Sequence, residues 1–81
     1  MSSFNTHKRK VEDISQPIEH RYSHARSCLN KVANLMGLTR AELVDQIELK
    51  SGINLESSKS ESDLEIGFKC LILLRASHLK T

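Results

Sequence analysis

Apolar residues in this chain fall into three periodic groups. Ile18, Tyr22, Ala25, Leu29, Val32 and Met36 recur at alternating steps of four and three. That spacing places them on one stripe of a helix of about five turns. The helix is expected to begin at Ser15 to Pro17, where proline loses no needed N–H. Gly37 follows the last apolar residue and suits a left-handed cap. A second helix is expected to bury Leu43, Val44 and Ile47. Thr39-Arg40-Ala41-Glu42 opens it as an S/T-x-x-E capping box, with Leu38 and Leu43 at the hydrophobic-staple positions. Gly52 closes it, and Ile53 can fold back toward Ile47. A third helix is expected over about Ser62 to His78, opened by Ser62-Asp63-Leu64-Glu65, with Leu64, Phe68, Leu71, Ile72 and Leu79 on one face. A strand over residues 66–74 competes, because Gly67 weakens a helix and Cys70 to Leu74 is an unbroken apolar run. No other segment offers it a partner strand, so a helix is expected.

The remaining segments are polar. Residues 1–14 hold Ser, Asn and Thr around Lys8-Arg9-Lys10 and offer little to bury, so they read as a flexible basic arm. The arm has three readings: a phosphate-neutralising tail, a short import-type basic signal, or a solubilising tail. Residues 54–61 read as a serine-rich loop. The expected fold is therefore all-α: a small three-helix domain over residues 15–81, a helix–turn–helix joint at Gly37, and a disordered basic N-terminal arm.

Length then limits the options. Eighty-one residues make one domain of marginal stability. Two cysteines, Cys28 and Cys70, form no disulfide framework and read as reduced thiols. A homodimer is the expected support. No apolar core follows the N-terminal basic residues, and the longest apolar run is too short to span a bilayer. The expectation is a soluble cytoplasmic protein with no membrane partner.

Charge is unevenly spread. Residues 1–40 carry seven Lys and Arg against three acids, and residues 41–81 carry five against seven. The basic half favours a polyanion and the acidic half opposes one.

The stretch from Leu29 to Leu55 resembles the helix–turn–helix of AraC-type bacterial regulators. A small residue in the first helix, a glycine in the turn and a hydroxyl residue opening the second helix are matched by Ala33, Gly37 and Thr39. Leu43, Ile47, Gly52 and Ile53 continue the pattern. The Leu38–Leu43 phrase, L-T-x-A-E-L, is also similar to SAP-type helix–loop–helix modules. Both likenesses imply nucleic acid. The DNA-binding residues implied are Lys8, Arg9, Lys10, Arg21, Lys31 and Arg40 on phosphates, with Thr39 and Gln46 as secondary contacts. Gln46 is the side chain in the second helix suited to an adenine edge. That helix also carries Glu42, Asp45 and Glu48, which phosphates repel.

Two functions therefore compete. One is a small DNA-binding transcriptional regulator acting as a dimer. The other is a helical protein-binding module, an adaptor or inhibitor, using the apolar face of residues 64–74. His20, His24 and Cys28 stand at metal-hook spacing on one helix, with Cys70 or His78 as a fourth ligand, but a paired second hook is missing, so no metal or other cofactor is expected. The chain has no G-x-S-x-G, Walker loop or H-E-x-x-H, so a non-enzyme is expected.

Overall fold

A computed structural model describes residues 4–80, which form four α-helices. α1 spans Phe4–Glu12, α2 Ile18–Met36, α3 Arg40–Ser51 and α4 Glu61–Leu79. The fold is all-α, and residues 66–74 are helical. The helix count is four where three were expected, because most of the basic arm is folded. Phe4, His7, Lys8 and Val11 stand at i, i+3, i+4 and i+7, which is a short helical stripe. Val11 is buried and Phe4 packs against the core edge. Residues 1–3 of the predicted arm lie outside the described residues.

A nine-residue helix does not hold its shape alone in water, so α1 depends on docking. It packs against α2 in antiparallel sense: His7 meets His24, and Val11 meets Arg21. The joining turn is built on Asp13. Its carboxylate accepts from the Ser15 backbone N–H at 3.0 Å and the Ser15 hydroxyl at 2.6 Å. The Gln16 N–H donates to the Asp13 carbonyl at 3.1 Å. This is the local bonding that makes aspartate a turn residue. The Ser15 hydroxyl and N–H hold the Asp13 carboxyl below its usual range.

α2 is the central element, packed by α1, α3 and α4. The expected stripe is present: Tyr22, Ala25, Leu29 and Val32 are buried, and Ile18 and Met36 pack at its edge. Arg21, Cys28 and Ala33 are buried as well. One stripe cannot include them all; they are covered because α2 has neighbours on more than one side.

The turn from α2 to α3 closes on glycine. Gly37 takes φ 72°. Its N–H reaches the Asn34 carbonyl at 3.3 Å, and the Leu38 N–H reaches Ala33 at 2.8 Å. The second bond satisfies a carbonyl that the helix end leaves open. Thr39 then caps α3. Its Oγ1 accepts from the Glu42 N–H at 3.1 Å, and the Glu42 carboxylate accepts from the Thr39 N–H at 3.0 Å. That reciprocal pair lowers the Glu42 pKa. α3 buries Leu43, Val44 and Ile47 and stops at Gly52, φ 78°.

α4 begins earlier than the sequence pattern indicates. Ser60, not Ser62, is the cap, and its hydroxyl accepts from the Asp63 N–H at 3.1 Å. Ser60 is fixed by tertiary contact, since the Tyr22 hydroxyl donates to its carbonyl at 2.7 Å. Leu64, Phe68 and Leu71 are buried, Ile72 packs at the edge, and Leu79 lies exposed beyond the core.

Gly67 sits inside α4 for a packing reason. Leu55, from the loop before α4, is buried and lies directly on it. A Cβ at position 67 would stand 2.6 Å from Leu55 Cδ2 and 3.0 Å from Ile53 Cγ2. Gly67→Ala therefore sets a helix-propensity gain of about 1 kcal/mol against overpacking of about 1–3 kcal/mol. Overpacking should win, because Leu55 is itself buried and its displacement disturbs the core around it. The variant should melt several degrees lower in a thermal scan; a rise in Tm would contradict this packing.

Candidate interaction surfaces

The eight residues expected at a DNA surface do not gather on one face. Arg21 is 4% exposed and belongs to the interior. Its Nε donates to the Val11 carbonyl at 2.6 Å, and Nη1 lies 3.5 Å from the Glu61 carboxylate. Its assignment to phosphate is corrected: the guanidinium is spent on α1 and α4. Arg40 Nε pairs with Glu56 at 2.8 Å, and Lys8 Nζ pairs with Glu12 at 3.0 Å. Thr39 is occupied as the α3 cap. Gln46 is half-buried on α3. Arg9 and Lys10 are exposed on α1, and Lys31 is half-buried on α2. Those three make no ion pair among the described residues.

The exposed side of α3, where a recognition helix would read bases, holds Glu42, Asp45, Glu48 and Leu49, with Arg40 tied to Glu56. Carboxylates there repel a phosphate backbone.

His20, His24 and Cys28 share a helix but not a site. Cys28 is fully buried, and that burial pushes its thiol up to about 11. A protonated thiol is a poor ligand and a poor nucleophile. No group of three or more His, Cys, Asp or Glu among the described residues could hold a metal ion. His24 instead pairs with His7, Nδ1 to Nδ1 at 2.9 Å, across the α1–α2 contact. One ring must donate and the other accept, so the bond cannot survive protonation of both. Burial lowers the His24 pKa first, with the His7, Lys10 and His20 charges adding to it.

The second surface is apolar. Leu49 on α3 is 87% exposed, and Ile66 and Leu73 on α4 are 50% and 62% exposed. Ile66, Cys70 and Leu73 stand at i, i+4 and i+7, on the side of α4 turned away from the buried Leu64–Phe68–Leu71 stripe. They line a groove of about 660 Å³ beside the last turn of α3, together with Leu74 and the stems of Lys50 and Lys69. Burial raises the Cys70 thiol pKa. Ile66 and Leu73 fall within the expected partner-binding face of residues 64–74, whereas Leu49 on α3 lies outside it. No described helix is long and apolar enough to cross a membrane.

No family model, curated protein or solved structure matches this chain.

Two outcomes follow from the α1–α2 contact. Arg21→Met removes the donor from a buried carbonyl and should cost about 1–3 kcal/mol in denaturant unfolding. A change inside about 0.5 kcal/mol would mark Arg21 as an ordinary surface residue. The second concerns pH. The His24 pKa is lower folded than its ordinary 6.5, so the unfolded chain binds more protons. The stabilisation is complete above 6.5 and is lost as pH falls through the folded value. Stability should therefore decline on acidification just below 6.5, before carboxylates titrate, and His24→Gln should flatten that slope. An unchanged slope in the variant would remove the His7–His24 pair from the account.

Proposed function

We propose that this chain is a small, non-catalytic protein-binding module whose contact face is the outer side of α4 with the end of α3. The observation that carries the reading is the uncovered apolar strip of Ile66 and Leu73 on α4, with Leu49 exposed on α3. Single exposed apolar residues are ordinary, but Ile66 and Leu73 line one groove with Cys70 and Leu74, and an apolar groove is the usual mark of a partner surface. Interface cores favour apolar residues framed by charge, and here Lys50 and Lys69 frame the strip.

The DNA-binding reading keeps one specific support. Arg9, Lys10 and Lys31 lie on the α1–α2 side without acidic partners among the described residues. Against it stand the burial of Arg21, the pairing of Arg40 and Lys8 with acids, and the acidic outer face of α3. Of the six cations expected on phosphates, three are left without an acid among the described residues, which is a weak phosphate footprint, and a lone small module gives few base contacts. The AraC-type likeness of the Ala33–Gly37–Thr39 joint has a simpler physical reading here. Alanine permits close crossing, glycine closes a helix and threonine opens one, whatever the partner.

Leu73 is exposed on the single chain, so Leu73→Lys should leave the helical circular dichroism spectrum unchanged. The wild-type chain, used as bait in a lysate of its source cells, should retain a stoichiometric protein that the Leu73→Lys chain releases. Neither chain should retard a random-sequence duplex at low salt. Duplex retardation that weakens steeply with salt, and that is lost on Lys10→Ala and Lys31→Ala, would replace this reading with the DNA-binding one.

A further inference from the structure

The groove restricts what can lie in it. Its charged rim, Lys50 and Lys69, is wholly cationic, and its floor is Ile66, Cys70, Leu73 and Leu74. A complementary occupant is an amphipathic helix with apolar residues one heptad apart and acids beside them. α4 itself has that character. Ile66 and Leu73 are seven residues apart on its uncovered side. Asp63 and Glu65 stand in its first turns and Lys80 at its end, while Glu61 and Arg75 in the same turns are held within the chain by Arg21 and the Phe4 ring. The helix is charge-polarised along its length, in addition to its own dipole.

We propose that the groove is filled by α4 of a second copy of this chain, laid antiparallel across a two-fold axis near Lys69 and Cys70. This inference rests on the reading that the outer face of α4 binds protein, and it names the partner. In that arrangement Ile66 of each copy meets Leu73 of the other. The first turns of one helix, with Asp63 and Glu65, lie beside the last turns of the other, with Lys80, and the two dipoles oppose. A parallel pairing would set Glu65 against Glu65 and align the dipoles, so charge selects the antiparallel sense. The two-fold axis makes the contact self-complementary and closed, which is how most small homodimers are built. Lys69, close to the axis, lays its aliphatic stem along the strip and keeps its ammonium in water, as long basic side chains do.

Light scattering on the full chain tests the association. At high micromolar concentration the mass should approach twice the 9.2 kDa of one chain. Leu73→Glu should weaken the dimer by about tenfold or more, as loss of a central interface residue does. Unchanged circular dichroism would show that the variant still folds. Cysteine pairing tests the sense. Ser62 and Ser77 are both exposed on α4 and lie on opposite sides of the proposed axis. In a Cys70→Ser background, with Cys28 buried, a mixture of Ser62→Cys and Ser77→Cys chains should oxidise to the mixed disulfide. Ser62→Cys alone should not cross-link to itself. Self-linking of Ser62→Cys would overturn the antiparallel arrangement. A chain that stays monomeric yet loses a different protein partner on Leu73→Lys would overturn the self-pairing and leave the binding face standing. A monomer with no Leu73-dependent partner would remove both.

Discussion

One buried cation holds three helices together. The Arg21 guanidinium starts on α2, donates into the last turn of α1 at Val11, and reaches Glu61 at the opening of α4. An unpaired charge in that position would cost several kcal/mol, so these partners are obligatory once Arg21 is buried. The carbonyl it satisfies is among those that every helix leaves open at its C-terminal end. The Tyr22–Ser60 bond lies beside it and fixes the cap of α4. Far along α4, the Arg75 guanidinium sits 4.2 Å from the Phe4 ring centroid and pins the other end of α1. α1 is thus held at both ends by arginines from other helices, which is how nine residues stay helical.

Much of this architecture was legible in the sequence, because it is carried by local signals. The four-and-three spacing from Ile18 to Met36, the glycines at 37 and 52, and the Thr39–Glu42 box act within a turn or two of chain. The misses share a different cause. The α1 segment looks like a flexible arm in the sequence because Lys8, Arg9 and Lys10 hide a stripe of only Phe4, His7 and Val11, and that stripe matters only once α2 is beside it. The α4 cap was placed at Ser62 because two serines fit one pattern; the Tyr22 hydroxyl, thirty-eight residues away, selects Ser60. Arg21 looks like a surface residue in the sequence because arginine is rarely buried. Gly67 read as a helix weakener, whereas Leu55 needs the space that a side chain would fill.

The candidate surfaces were less legible, since charge along a chain says little about which charges are already paired. Lys8 and Arg40 count toward a basic half in the sequence, yet each lies against a carboxylate in the fold. What remains is a thin spread of cations on α1 and α2, an acidic α3, and an α4 apolar on two sides. An 81-residue chain has little interior, so a four-helix fold that buries Leu64, Phe68 and Leu71 on one side of α4 leaves Ile66 and Leu73 without cover. The groove is thus what remains uncovered when one short chain packs its most apolar helix against α2 and α3.

The central claim is that α4 meets its partner with the side turned away from the core. Amide spectra of the isotopically labelled chain, recorded on dilution and then with added duplex, test it residue by residue. The account predicts that dilution shifts Leu49 and residues 66–77 while duplex leaves residues 8–10 and 31 in place. Shifts that follow the duplex at residues 8–10 and 31, with residues 66–77 unmoved by dilution, would contradict it.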